Sequence, residues 1–327
     1  MTAFYLIFLT MNKPKVVIIS GATATGKTQL ALDLAKNQKA HIINFDSMLF
    51  YRELNIGTAK PSRYEQKSVP HSMIDICSIK DPMNAAMYNE QATPIAEKIL
   101  AENKILFLVG GSGFYIRAFM KGMYETLTPS AATKDKVARI LAEDGAAALY
   151  AQLKNFDPES AALYHPNDSY RVGRALQHFF ETGKSIAEEK NRFEKIDPYN
   201  FSQNRFPEWN IIHFCLDIAK PEHEKFIRSR TDSMLKNGLV EEVKNILEGP
   251  DVTGDEKALQ SIGYKETIGL IRGEISDLKD LADKISISTR QLAKSQRTFF
   301  KKITPKLTFD PIKNKEKIFD SFGHFLA

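Results

Sequence analysis

The sequence predicts an α/β protein built on a doubly wound parallel sheet with a helical insertion domain. Three observations support this fold class. Short β-rich runs alternate with segments of helical spacing in both halves of the chain. The first of these runs leads directly into a glycine-rich loop, which a helical segment follows. Between about residues 126 and 206 the strand signals disappear and helix-like segments dominate.

The first strand, loop and helix carry the strongest local signal. KVVIIS predicts a strand, TQLALDLAKN predicts a helix, and GATATGKT joins them in the pattern G-x-x-x-x-G-K-[S/T]. This context predicts a P-loop NTPase-like core in which backbone N–H groups and Lys27 contact a di- or triphosphate. Thr28 would hold a magnesium ion, the expected cofactor. The predicted phosphate-binding residues are Gly21, Ala22, Thr23, Ala24, Thr25, Gly26, Lys27 and Thr28.

Three further runs, HIINFD, KILFLVGG and NIIHFCLDI, predict more strands of the same sheet. HIINFD ends at Asp46, which places this carboxylate at the carboxyl edge of the sheet, where ligands of such folds bind. Asp46 could act there as a general base or a magnesium ligand, or it could cap a turn or helix. KILFLVGG ends in glycines, where nucleotide hydrolases often carry a magnesium-binding aspartate.

Composition divides the chain into a core, an insertion and two terminal segments. We predict the α/β core over residues 11–125 and 207–310, the insertion over 126–206 and a C-terminal tail over 311–327. Residues 1–10 are predicted to be a disordered leader or a mis-assigned start, with Met11 as the true first residue. No apolar run approaches a membrane span, and the two cysteines lack metal-ligand spacing. We expect a cytoplasmic monomer without membrane contact.

A basic segment stands out near the end of the predicted core. Residues 284–302 contain six Lys or Arg and no acidic residue. Arg290, Lys294 and Arg297 recur at the spacing of one helix face. Solvated helix faces normally mix both signs, so we predict contacts with a nucleic-acid phosphate backbone; an ordinary solvated face is the alternative. The net charge of +5 permits such a partner without requiring it.

Taken together and in this order, the motifs resemble those of the bacterial-type tRNA dimethylallyltransferases. The resemblance rests on GATATGKT, DSMLFYRELNIGTAKPS, PHSMIDI, VGGSGFYI, HPNDSYRVGRAL, GLVEEV, SIGYKE and TRQLAKSQRTFF. The sequence departs from the family pattern at Ala22, Ser295 and Phe299, where proline, a second basic residue and tryptophan are usual.

The resemblance implies a reaction and a set of site residues. The loop would hold the diphosphate of dimethylallyl diphosphate, and the acceptor would be the N6 amine of the adenosine 3′ of the anticodon in tRNA. Asp46 would be the general base, and Thr23 would supply a hydrogen bond at the reacting centre. Contacts with the anticodon arm of the tRNA would come from Asp46, Ser47, Met48, Leu49, Ser112, Tyr170, Arg171, Val172, Gly173, Arg174, Gln260, Ser261, Ile262, Gly263, Tyr264, Lys265, Arg290, Lys294 and Arg297.

Three other functions compete with this interpretation. A small-molecule kinase would share GATATGKT and the α/β pattern, but it would not explain IGTAKPS or the basic segment. A prenyltransferase acting on free AMP, ADP or ATP would not need the helical insertion. A non-enzymatic RNA-binding module would leave the phosphate-binding loop without a role.

Overall fold

The computed structural model describes residues 13–123, 129–193 and 197–327. The chain forms two compact units: the first comprises the segments before Gly122 and after Pro198, and the second is Gly122–Pro198. The predicted leader, the predicted start at Met11 and the predicted first residue of the insertion, 126, lie outside the described residues. Residues 199–206, which the sequence analysis placed in the insertion, group with the first unit because Phe201 and Phe206 are buried in its core.

The first unit contains a parallel sheet. Its strands are β1 (Lys15–Gly21), β2 (Ala40–Asn44), β3 (His71–Ser72), β4 (Ile105–Val109), β5 (Asn210–Leu216) and β6 (Leu307–Phe309). Their order across the sheet is β3-β2-β4-β1-β5-β6, and all described pairings are parallel. The four strands expected from the sequence are confirmed. Strands β3 and β6 escaped prediction because they are only two and three residues long.

Helices cover both faces of this sheet. Those before the second unit are α1 (Lys27–Ala35), a 3-10 helix (Ser47–Phe50), α2 (Arg63–Ser68), α3 (Ala85–Ala101) and α4 (Gly113–Lys121). Helices α5 to α9 belong to the second unit. Those after it are α10 (Lys220–Lys236), α11 (Leu239–Leu247), α12 (Tyr264–Ile271), α13 (Leu278–Lys302) and α14 (Lys315–Leu326). Along β1, Val16 and Ile18 join one apolar cluster, while Val17 and Ile19 join another. This alternation, with both sets fully buried, confirms the doubly wound fold.

Two glycines mark turns that the chain needs. Gly21 ends β1 with φ 140°, and a Cβ atom there would lie 2.4 Å from the carbonyl oxygen of Leu216 on the neighbouring strand. Gly238, with φ 95°, separates α10 from α11, as expected from the sequence. The basic segment lies within α13, a helix of 25 residues that Asp277 caps by accepting a hydrogen bond from the Asp280 N–H.

The second unit is helical throughout its described part. It contains α5 (Ala131–Glu143), α6 (Gly145–Phe156), α7 (Pro158–Ala162), α8 (Ser169–Thr182) and α9 (Ile186–Phe193). Its own core forms around Leu149, Leu153, Val172 and Leu176, all fully buried. The chain's described helices include none that is long and apolar enough to cross a membrane.

Candidate active site

Three neighbouring strands bring the predicted site residues to one edge of the sheet. β1 leads into the loop of residues 21–28, β2 into Asp46, and β4 into Gly110 and Gly111. Because β2, β4 and β1 are adjacent and parallel, these three segments meet at the carboxyl edge. The loop turns through two left-handed residues, Ala24 with φ 59° and Gly26 with φ 81°.

Within the loop, the carbonyl oxygen of Ala22 is the internal anchor. It accepts hydrogen bonds from the Thr25 hydroxyl at 2.8 Å and from the Lys27 ammonium at 2.7 Å. The Thr25 side chain therefore closes the loop, which leaves the backbone N–H of Thr25 as its group for contacting a phosphate. Burial lowers the pKa of Lys27 to about 8, with Asp46 opposing this shift and Arg230 adding to it. A bound anion would raise this pKa and so favour the charged form of Lys27.

Asp46 uses one carboxylate oxygen to cap a local helix, while the other faces the site. Its Oδ1 accepts from the Met48 N–H at 3.2 Å and so caps the 3-10 helix. Its Oδ2 lies 3.4 Å from the point that a Cβ atom on Gly111 would occupy, and the Lys27 Nζ lies 3.5 Å from the same point. The capping role considered from the sequence is thus present, and the second oxygen still faces the loop.

The first glycine after β4, Gly110, leaves no room for a carboxylate of the hydrolase kind. A Cβ atom on Gly110 would lie 2.6 Å from the Phe45 carbonyl carbon, and one on Gly111 would lie 2.7 Å from the Gln296 Nε2. The next residue, Ser112, accepts from the Ser47 N–H at 3.0 Å and contacts the Ser47 hydroxyl at 3.1 Å. The structure therefore brings Ser47 and Ser112 together, with Met48 and Leu49 half-buried beside them.

Sequence reasoning missed Arg230. This residue lies on the buried face of α10, between Ile227 and Met234, and donates to the Thr58 carbonyl at 3.0 Å. Burial lowers the pKa of its guanidinium, and the charge of Asp46 counteracts this shift. The sequence held a signal: an arginine at helical spacing from two apolar residues is a charge on a buried face, which needs a partner or a ligand.

Gln296 is the second residue that the sequence analysis missed. Its Oε1 accepts from the Thr23 N–H at 2.8 Å, and its Nε2 donates to the Gly111 carbonyl at 2.9 Å. Nearby, the Phe299 ring occupies the space above Gly113, where a Cβ atom would lie 2.2 Å from it. Helix α13 therefore forms one wall of the site and joins the loop to the glycine-rich turn.

The basic stripe on α13 is less uniform than the sequence suggested. Lys294 is exposed, and Arg290 is nearly half exposed, with its guanidinium 3.9 Å from Glu224. Arg297 turns inward: its Nε donates to the Asp217 carboxylate at 2.7 Å and its Nη2 to the Ile218 carbonyl at 2.9 Å. The stripe therefore has acidic partners that its own segment lacks, because α10 and the segment before it supply Glu224 and Asp217. Arg290 and Lys294 remain the better candidates for RNA phosphate contacts.

The predicted contact segment at residues 260–265 is partly internal. Tyr264 is fully buried and donates to the Glu242 carboxylate at 2.6 Å, and Glu242 in turn accepts from the Ile56 N–H at 2.8 Å. Gly263 is buried, and Ser261 and Ile262 are half-buried. Gln260 and Lys265 are exposed, although the Gln260 Nε2 donates to the Gly254 carbonyl at 2.8 Å. Tyr264 is therefore corrected from a tRNA contact to a support of the IGTAKPS turn.

The second unit carries the remaining predicted contacts. Tyr170 and Arg171 are exposed, and Arg171 forms an ion pair with Asp168. Val172 is fully buried, and Gly173 is also buried, because both pack in the core of this unit. The Val172 side chain and the Gly173 backbone are therefore not available to RNA, which corrects that part of the prediction. Arg174 donates to the Gln177 side chain at 3.2 Å.

A glycine-rich loop that carries a lysine and lies near a carboxylate and a half-buried arginine is suited to group transfer from a phosphorylated substrate. A family model described as IPP transferase matches residues 49–303 of this chain. The chain belongs to this IPP transferase family.

Named relatives and solved structures agree with this assignment. A tRNA dimethylallyltransferase 2 of Syntrophus aciditrophicus is 34% identical over 97% of this chain and 98% of its own length. A tRNA dimethylallyltransferase of Microcystis aeruginosa is 39% identical over 89% of this chain and 86% of its own. The tRNA isopentenylpyrophosphate transferase of Bacillus halodurans superposes with a TM-score of 0.66 at 30% identity, covering 96% of this chain and 97% of that one. A eukaryotic dimethylallyltransferase acting on tRNA gives a TM-score of 0.73 at 25% identity, covering 90% and 73%.

Proposed function

We propose that this chain transfers the dimethylallyl group from dimethylallyl diphosphate to the N6 amine of the adenosine 3′ of the anticodon in tRNA. The products are N6-isopentenyladenosine in tRNA and free diphosphate. The enzyme acts as a monomer in the cytoplasm, where its tRNA substrate is found. Membership in the IPP transferase family supports this reaction.

One structural observation carries the proposal. The Asp46 carboxylate and the Lys27 ammonium both lie within 3.5 Å of one point above Gly111. This proximity supports the proposal, because the reaction needs a cation for the leaving diphosphate and a base for the attacking amine. A small-molecule kinase needs the first of these features, but IGTAKPS and the wall formed by α13 have no role in that reaction.

The allylic carbon–oxygen bond breaks as the adenine amine attacks. The bond's electron pair goes to the diphosphate oxygen, and the N6 lone pair forms the new carbon–nitrogen bond. Loop N–H groups, Lys27 and Arg230 would stabilise the negative charge that grows on the leaving group. The allyl fragment carries positive charge readily, so stabilising the leaving group lowers the barrier to breaking this bond.

Asp46 completes the transfer by accepting a proton. The adenine amine is a poor nucleophile because its lone pair is delocalised into the ring. Asp46 Oδ2 takes one N6 proton as attack proceeds, which typically contributes ~100- to 10,000-fold. Thr23, at the start of the loop, adds a hydrogen bond at the reacting centre.

The hydroxyl of Thr28 suits a magnesium ion that the protein and the substrate would hold together. Thr28 would contribute its hydroxyl, and diphosphate oxygens would fill other positions, which is how magnesium commonly binds phosphorylated substrates. The described residues contain no cluster of three or more His, Cys, Asp or Glu that could hold a metal ion alone. Bound magnesium would supply further charge neutralisation at the leaving diphosphate.

The test is transfer of labelled dimethylallyl groups to two acceptors, unmodified tRNA and free adenine nucleotides. We expect label in tRNA at the adenosine 3′ of the anticodon, with little in AMP, ADP or ATP. Preferential labelling of free nucleotides would instead support a prenyltransferase for free nucleotides. Formation of ADP from ATP with a small-molecule acceptor, without prenyl transfer, would establish a kinase.

A further inference from the structure

His223, in the first turn of α10, connects the phosphate-binding loop to the basic helix. Its side chain is buried, with Nε2 at 2.8 Å from the Thr23 carbonyl oxygen and Nδ1 at 2.7 Å from the Arg297 Nη2. A guanidinium can only donate, so the His223 Nδ1 must accept. The neutral ring then carries its proton on Nε2 and donates it to Thr23.

Arg297, the other residue that His223 contacts, is also held in place. Arg297 Nε donates to the Asp217 carboxylate at 2.7 Å, and Arg297 Nη2 donates to the Ile218 carbonyl at 2.9 Å. Both acceptors lie in the short segment between β5 and α10. The orientation of the His223 ring is therefore set by a side chain that is itself anchored twice.

The target of these contacts is Thr23. Its N–H donates to Gln296, and its carbonyl accepts from His223, so its two flanking peptide groups are held from α13 and α10. The next residue, Ala24, has φ 59°, a left-handed conformation that alanine seldom adopts. The loop therefore depends on outside contacts to keep its shape.

We propose that His223 is a positioning residue for prenyl transfer: it holds Thr23 where the hydroxyl meets the reacting centre. This inference rests on the proposed function and on the role given there to Thr23. Among the described residues, the Thr23 hydroxyl makes no hydrogen bond of its own, so only its backbone anchors fix its place. His223 does not contact the substrate.

Two substitutions of His223 separate positioning from folding. His223→Leu removes both hydrogen bonds and puts an apolar side chain one helical turn before Ile227, which belongs to a small buried cluster with Ala22 and Ala293. His223→Gln keeps one acceptor for Arg297 and one donor for Thr23. His41→Leu is the matched control. His41 lies near the amino end of β2, whereas the site lies at the carboxyl ends of the strands, and its side chain is hydrogen-bonded to Ser72 at 2.8 Å.

The measurements are kcat, both KM values and thermal unfolding, with labelled prenyl transfer to tRNA. We expect His223→Leu to lower kcat about tenfold, the scale of one buried hydrogen bond, while KM for tRNA stays within twofold. His223→Gln should recover kcat to within about threefold of wild type, and His41→Leu should keep the wild-type kcat. Wild-type kcat in His223→Leu, or equal losses in the Leu and Gln variants, would overturn the inference. Absence of transfer by the wild-type protein would refute the proposed function instead.

Discussion

Asp46→Asn is the substitution that best separates catalysis from binding. Asparagine keeps an oxygen that can accept from the Met48 N–H at the present 3.2 Å, and Asn and Asp cap helices about equally well. The fold should therefore persist. The amide cannot take the N6 proton, so the rate of transfer should fall by ~100-fold or more, which corresponds to about 2.7 kcal/mol or more of lost transition-state stabilisation.

The same substitution should leave diphosphate binding intact. Removing the negative charge beside Lys27 leaves the local field more positive, so affinity for dimethylallyl diphosphate should stay equal or rise. The assay is single-turnover prenyl transfer at saturating tRNA across a magnesium series, with both dissociation constants measured separately. Recovery of activity by added magnesium, or a loss confined to diphosphate affinity, would show that Asp46 is a metal ligand and refute its role as base.

The remaining predictions address binding and acid stability. Arg230→Met should weaken binding of dimethylallyl diphosphate by about 10- to 100-fold, because a charge-assisted contact is lost, and an unchanged dissociation constant would contradict this role. The double substitution Arg290→Gln and Lys294→Gln should make the slope of log Kd for tRNA against log salt concentration shallower by about 2. An identical slope would show that this face contacts only solvent. Burial lowers the pKa of His213 to about 3, so between pH 6.5 and 3 the unfolded chain binds a proton at this site that the folded chain does not. Stability should fall as pH decreases through that window, by up to about 1.4 kcal/mol per unit from this residue, and denaturant titrations of His213→Gln should show a smaller fall.

The local sequence predicts those parts of the site whose residues lie close together in the chain. GATATGKT specifies strand, loop and helix within a few residues, and Asp46 is marked by the end of an apolar run. IGTAKPS, GLVEEV and SIGYKE were recognised only as family motifs. The structure gives their physical connection, because Glu242 accepts from both the Ile56 N–H and the Tyr264 hydroxyl.

The fold class, the glycine-rich loop between β1 and α1 and the position of Asp46 followed from the sequence alone, because periodicity and glycine placement act over short distances. The tertiary structure decided the partners of Gln296, Arg230 and Arg297. Gln296 meets Thr23 across 273 positions of the chain, and Arg230 meets Thr58 across 172. Helical spacing shows which residues share a face, but it does not show what lies opposite that face. For this reason Arg297 resembled an RNA contact in the sequence, whereas the folded chain binds it to Asp217 and His223.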